Sequence, residues 1–287
     1  MPDIVVIGGA NIDIKAKVNE PNRLGTSNPG VVSMTAGGVG RNIAHNLARL
    51  GADVALISIV GRDVHGDAVL DQTRKAGVDV SRIVRSSTST GSYVAYLDHD
   101  GELVTALNDM RCMEELTPQL VEAHAAMLDK ARLVVADCNL PQETLNFVAE
   151  LAGAKLVVEP VSVPKSRKLI EALKVAPLFL ASPNFDQIDS LAGTRDIEAA
   201  FAYMHGKGLR NVVIHAGPEG AFVSDGTDID HVEAQPPAHI ADVTGAGDAA
   251  VAGLVHGLLQ GEPLAIAAAR GQRLAGQVIA GAASTLE

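Results

Sequence analysis

LVVADCNLPQETLNFVAEL, residues 133–151, reads as a buried strand, Leu133–Ala136, that passes through a short loop into a helix, Gln142–Leu151. Apolar runs of the same kind, rich in Val, Ile and Leu, recur at Ile4–Ile7, Val54–Val60, Leu156–Val158, Leu178–Ala181 and Val212–Ile214, and a second helical pattern, Ile197–His205, precedes the last. Such runs alternating with helices are expected of a mainly parallel sheet covered by helices, so the class is α/β.

Two segments break this rhythm, at about 14–35 and 86–106. Their apolar pattern is closer to alternation, as in Ser92-Tyr93-Val94-Ala95-Tyr96-Leu97, and Asp98-His99-Asp100-Gly101 is a turn signal that makes the second segment a hairpin. Both leave and re-enter the α/β body, so residues 1–287 are expected to form one domain with a small β lid inserted in two pieces. No internal repeat, Pro-rich linker or low-complexity tract interrupts it.

The formal net charge of −11 excludes broad nucleic-acid binding, which depends on Lys and Arg neutralising phosphates. Phosphate recognition then falls to backbone amides and helix N-termini. The two cysteines, Cys112 and Cys138, form no CxxC pair, and no cluster has metal-ligand spacing, so a reducing cytoplasm is expected and the nine histidines are read as structural or exposed. Met1 to Gly9 shows no basic n-region and no small-residue cleavage site, so export is not expected, and no apolar stretch approaches the roughly 20 residues of a membrane helix.

Asp242-Val243-Thr244-Gly245-Ala246-Gly247-Asp248 is a glycine loop, and Val251, Leu254, Val255, Leu258 and Leu259 after it have the spacing of an amphipathic helix. Glycine permits backbone angles closed to other residues, and amides at a helix N-terminus can then converge on one anion. A carboxylate beside an anion site needs a task. Asp248 either caps the helix or takes the proton from an attacking hydroxyl during phosphoryl transfer, and the local pattern fits both. Gly245 to Ala250 also matches the GxGxxA dinucleotide fingerprint, but no strand ending in an acid follows it. P-loop, nucleophile-elbow and HExxH motifs are missing from the chain.

Near the N-terminus, Gly37-Gly38-Val39-Gly40-Arg41-Asn42 leads into a helix that Gly51 stops. Asn11 and Asp13 follow the first strand, where a sheet of this class opens its carboxyl edge; they form an Asx turn or bind sugar hydroxyls.

Together, Gly37 to Gly51 and Asp242 to Asp248 resemble the two signatures of the ribokinase-like (PfkB) carbohydrate kinase family, and the resemblance covers essentially the whole chain. It implies a three-layer α/β/α sandwich with ATP and Mg²⁺ at the carboxyl edge of the sheet, K⁺ as an optional addition, and a small nucleoside or sugar acceptor under the lid. It implies Asp248 as catalytic base, with an anion hole from the amides of Gly245, Ala246 and Gly247. Asn11, Asp13, Gly37, Gly38, Asn42 and Asn108 would contact the acceptor; Asn184, Thr244, Gly217 and Gly220 would contact the nucleotide. Relatives pair their lids, so a homodimer through the lid is expected.

Two departures stand out. The family's NxxE motif reads Asn184-Phe185-Asp186-Gln187, so an amide replaces the carboxylate that orders the Mg²⁺ shell, and either Asp186 or Glu159 compensates or metal affinity is reduced. The glycine loop lacks the lysine of ribokinases and resembles the branch of the family that phosphorylates the 5′-hydroxyl of pseudouridine. Ser27-Asn28-Pro29-Gly30, Asn108-Asp109-Met110 and Val135-Ala136-Asp137-Cys138-Asn139 share that resemblance, and their side-chain amides could pair with a uracil edge. Two other classes remain: a silent nucleoside-binding regulator on this fold, and a nucleotide-cofactor oxidoreductase.

Overall fold

The computed structural model describes residues 1–235, 237, 239–240, 242–281 and 284–286. Its first half contains β1 (Ile4–Ile7), β2 (Asn11–Val18), β3 (Gly30–Gly37), α1 (Val39–Arg49), β4 (Val54–Gly61), α2 (Val64–Lys75), β5 (Asp79–Ser86), β6 (Gly91–Leu97) and β7 (Leu103–Asp109). Next come α3 (Pro118–Glu122), α4 (Ala125–Lys130), β8 (Leu133–Asp137), α5 (Gln142–Ala152), β9 (Leu156–Glu159), α6 (Val163–Leu173) and β10 (Leu178–Ala181). The remainder holds α7 (Phe185–Ala192), α8 (Ile197–Gly206), β11 (Leu209–His215), β12 (Ala221–Ser224), β13 (Ile229–Val232), α9 (Ala246–Leu259) and α10 (Leu264–Ala280).

Nine strands form one sheet in the order β13-β12-β11-β10-β9-β8-β1-β4-β5, parallel except for β12 and β13 at one edge. Alternate residues of each strand enter opposite cores, as a pleated strand requires. Val5 and Ile7 join Leu145, Leu169, Ile188 and Phe201 on one side. Ile4 and Val6 join Ile43, Leu47, Val251 and Leu274 on the other. Helices α1, α9 and α10 therefore cover one face and α5 to α8 the opposite one, giving a three-layer α/β/α sandwich.

Helix α9 is not the amphipathic helix that its spacing suggests. Every residue from Ala249 to Val255 is buried, because the helix lies between α1, α10 and the sheet. Gly253 and Gly271 make this possible: a Cβ on Gly253 would stand 2.8 Å from Gly271 Cα, so the α9–α10 crossing tolerates only glycine there.

The second sheet has the order β3-β2-β6-β7. Its strands occupy 11–18, 30–37, 91–97 and 103–109, so they reach further toward the body than 14–35 on one side, and Ser86 closes β5 of the large sheet instead of opening the hairpin. The β6–β7 turn is built by Asp98, whose Oδ1 accepts from Asp100 N at 3.0 Å and Glu102 N at 2.9 Å, and by Gly101 at φ +96°.

Strand β1 is the switch point of the large sheet, pairing with β8 on one side and β4 on the other. Chains leave such strands in opposite directions, which opens a crevice at their carboxyl ends. Both glycine loops and the small sheet converge there.

Candidate active site

A buried carboxylate organises the floor of this crevice. Asp137 ends β8, and its Oδ2 accepts from Gly9 N at 2.8 Å and Gly40 N at 2.7 Å while Oδ1 accepts from Asn139 N at 2.8 Å. It thus joins the end of β1 to the start of α1. Close approach is possible because Gly8 and Gly40 lack side chains; a Cβ on Gly8 would meet Asp137 Oδ2 at 2.4 Å. Burial pushes the Asp137 carboxyl up and the three N–H bonds pull it down. A proton on either oxygen would face a donor, so the bonds favour the anion.

Above the floor lies the inner face of the small sheet. Thr35, Asp13, Tyr93 and Asn108 are directly opposite one another on β3, β2, β6 and β7, so they form one row on one face. Asn11 Nδ2 donates to Asp13 Oδ1 at 2.7 Å. Gly37 leaves room for the Asp13 carboxylate, which a Cβ would approach to 2.1 Å, and Gly38 takes φ +99° against Gly9 O. Burial raises the Asp13 pKa, with the Asn11 amide and the charges of Lys15 and Arg41 opposing. Arg41 is buried beneath, donating to Thr73 Oγ1 at 3.2 Å, Ala36 O at 3.2 Å and Asn42 Oδ1 at 3.1 Å. Burial pulls its guanidinium down to about 10, with Asp13 and Asp248 opposing.

The third part is the start of α9. Gly245 is its N-cap, at φ +81°, where a Cβ would meet Ser284 O at 2.1 Å. No side chain caps the helix. Asp248 instead accepts from Asn42 Nδ2 at 2.8 Å, so the capping alternative fails. Helix geometry leaves the first N–H groups without intrahelical acceptors, and Gly247 faces open space; Ala246 N makes a long 3.3 Å bond to Val243 O. Burial pushes the Asp248 carboxyl up to about 7. The Asn42 bond pulls it down, Asp137 and Asp13 push it further up, and Arg41 opposes them. Sequence reasoning missed Lys15, whose ammonium pairs with Asp242 and lies 3.1 Å from Thr244 Oγ1.

Beyond α9 a largely apolar cavity of about 320 Å³ is lined by His215, Gly217, Gly220, Ala246, Ala250 and Gln272 among others. A flat base fits such a slot, with phosphates directed at the N-terminus of α9. Asn184 and Gln187 form a capping box at α7: Asn184 Oδ1 accepts from Gln187 N and Gln187 Oε1 from Asn184 N, each at 2.9 Å. Asp186 is exposed and pairs with Arg195. Glu159 ends β9 facing the crevice. Burial pushes its carboxyl up to about 8; the Val161 N–H bond opposes, and Asp248 and Asp137 add to the rise. Val161, held by that bond, takes φ +68°, a conformation β-branched residues avoid.

Other elements separate from the site. Asn28 bonds Arg23 N, Arg23 O and Thr26 O within its own loop, and Asn139 Oδ1 accepts from Lys165 Nζ at 2.6 Å, which leaves Asn108 as the amide of the three that faces the opening. Asp98, His99 and Asp100 bring ligand atoms within 4.8 Å of one another, a histidine grouping unforeseen in the sequence, but it is the β6–β7 turn, where Asp98 already accepts from backbone amides.

Residues 1–286 match the description "pfkB family carbohydrate kinase". The chain belongs to that family. Pseudouridine kinase of Escherichia coli K12 is 36% identical over 268 residues, 91% of this chain and 85% of the relative. YeiI, an uncharacterized sugar kinase of the same organism, is 37% identical over 265 residues, 90% of this chain and 72% of the relative. A carbohydrate kinase from Agrobacterium tumefaciens superposes with a TM-score of 0.85 at 32% identity, covering 99% of this chain and 93% of that one. As a pfkB family kinase the protein is a phosphotransferase with an alcohol acceptor, a sugar or a nucleoside, and kinases of this family use ATP with Mg²⁺. The site fits the cation: the carboxyls of Asp248 and Glu159, each raised by burial first and by neighbouring carboxylates after it, face one crevice, and a divalent ion would relieve both. No helix among the described residues is long and apolar enough to cross a membrane.

Proposed function

We propose that this kinase phosphorylates the 5′-hydroxyl of pseudouridine, giving pseudouridine 5′-phosphate and ADP. The observation that carries the reaction is Asp248, a carboxylate poised at a pKa of about 7 between the Asn11–Asp13 row and the free amides of α9. Asn11 and Asp13 orient the ribose. Asp248 takes the hydroxyl proton as the acceptor oxygen bonds to the γ-phosphorus and the bond to the ADP oxygen breaks. Amides of Gly245 and Gly247 hold the moving phosphoryl group; Glu159 would hold Mg²⁺, which would supply neutralisation of phosphate charge. The small sheet acts as the lid, and Asn108 and Tyr93 are placed to meet the base. The assignment of the acceptor draws on the E. coli relative, and the likeness to YeiI favours a sugar as the second reading.

The test offers ATP and Mg²⁺ with pseudouridine, uridine, adenosine, ribose and fructose. Pseudouridine is expected to exceed uridine in kcat/KM by at least about tenfold, the effect of one unpaired polar group in a closed site. Equal values remove the acceptor assignment, and a sugar in first place supports the second reading. No turnover leaves the silent regulator. Repeating the assay with and without K⁺ tests the monovalent cation.

Glu159 is the carboxylate that serves the metal in this reading, since Asp186 is held by Arg195 and Gln187 caps α7. Glu159→Gln should raise the Mg²⁺ concentration for half-maximal rate several-fold, about 1 kcal/mol of lost ion binding, whereas Gln187→Glu, which preserves the capping box, should leave it unchanged. A shift in the second variant alone would transfer the role to position 187.

The outer face of the lid carries Met34, Ile14, Val94 and Leu107 in one row, with Met34 and Leu107 more than half exposed. A homodimer that pairs these faces covers them. Light scattering at micromolar concentration should give twice the 29.7 kDa chain mass; a monomer would refute the pairing.

A further inference from the structure

Lys15 belongs to none of the motifs that point to the kinase. It lies on β2 two residues beyond Asp13, on the same face of the small sheet, with Ser33 and Ala95 opposite it on the flanking strands. Those short neighbours let its long side chain leave the sheet. It crosses to the turn before α9, where the ammonium pairs with the Asp242 carboxylate and donates to Thr244 Oγ1 at 3.1 Å. Asp242 in turn shapes that turn, its Oδ1 accepting from Thr244 N at 2.8 Å and from Thr244 Oγ1 at 2.6 Å. One ammonium therefore ties the strand that carries Asn11 and Asp13 to the turn that carries Gly245 and Asp248.

We propose that Lys15 is a positioning residue for phosphoryl transfer, which through Asp242 and Thr244 sets the distance between the acceptor-bearing strand and the glycine turn. This rests on the kinase reading above. The acceptor and the phosphoryl group are held by separate sheets and loops, so their alignment depends on whatever joins them. A misplacement of about 1 Å between reacting groups is worth about 10²-fold in rate. The side chains of the pair are 30% and 29% exposed, and ion pairs that water reaches add little to stability.

The experiment compares Lys15→Met, Lys15→Arg, Asp242→Asn and the Lys15→Met/Asp242→Asn double variant with the wild type, using ATP, Mg²⁺ and the best acceptor of the panel. Lys15→Met should lose about 10²-fold in kcat while each KM stays within about threefold, the split expected when alignment and not binding is lost. Asp242→Asn should lose a similar factor, and the double variant should be no slower than the slower single one, because both remove the same bridge. Lys15→Arg should recover most of the rate, and melting temperatures should hold throughout. Full activity in Asp242→Asn beside a slow Lys15→Met would mean that Lys15 acts directly on phosphate, and losses that multiply in the double variant would mean independent roles; either overturns the proposal. A wild type that turns over while Lys15→Met does so equally fast sinks the bridge alone. A wild type that phosphorylates no acceptor sinks the kinase reading and the bridge with it.

Discussion

Asp248→Asn should lower kcat by about 10²–10⁴-fold, the usual contribution of a general base. The substitution keeps the shape of the site: an asparagine oxygen can still accept from Asn42 Nδ2, and the N-terminus of α9 needs no side chain from this position because none caps it. What disappears is the lone pair that takes the hydroxyl proton. ATP affinity should hold or improve slightly, since a negative charge beside the phosphates is gone. The pH dependence gives an independent reading. With its pKa at about 7, the wild-type base should produce a kcat/KM that rises through neutral pH and flattens above it, and the variant should lack that limb.

Stability reports on the same carboxyl. A carboxyl whose folded pKa lies above its unfolded value keeps a proton in the native state that the unfolded chain has released. Stability is therefore lost as pH rises between the two values, from about 4 to about 7 for Asp248. Asparagine never ionises, so the variant should melt no lower than the wild type at pH 8. A variant with near-normal kcat would remove the catalytic role, whatever its melting temperature.

The strands of the large sheet were legible because a strand covered on both faces cannot hide its composition: β1 and β10 fall on the residues marked by their apolar runs. Helix α9 misled because Leu254 and Val255 have helical spacing whether one face is buried or all of them are. Gly253 and Gly257 were the hints of a close helix neighbour. The capping box at α7 was readable, since Asn184-x-x-Gln187 is its pattern, yet comparison with NxxE drew attention to the missing carboxylate instead of the amide's own bond. Lys15 and Tyr93 could not be found from local pattern. Lys15 meets Asp242 across 227 residues, and Tyr93 joins Asp13 only through the parallel pairing of β2 with β6.

Asp137 escaped for a related reason: its partners are backbone amides, which have no sequence signature. Asp137→Ala is expected to leave the N–H groups of Gly9, Gly40 and Asn139 buried without an acceptor. Each such group costs about 1–3 kcal/mol, and removing a buried charge gives some of this back, so a net loss of about 3 kcal/mol is expected. At about 2 °C per kcal/mol in a chain of this size, the melting temperature should fall by about 6 °C. Asp137→Asn retains the packing and one acceptor oxygen, so its loss should be smaller. It is the better probe of chemistry. With Asp137 ionised, the form its three donors favour, its charge is one of the causes that hold the Asp248 pKa up, after burial. Removing that charge should move the acidic limb of kcat/KM to lower pH, because Asp248 then releases its proton more readily. Thermal melts and the pH profile thus report on the two halves of the argument separately. An unmoved limb in Asp137→Asn would mean that the native enzyme carries Asp137 protonated, and an unchanged melting temperature in Asp137→Ala would mean that the floor of the crevice is held together by other contacts.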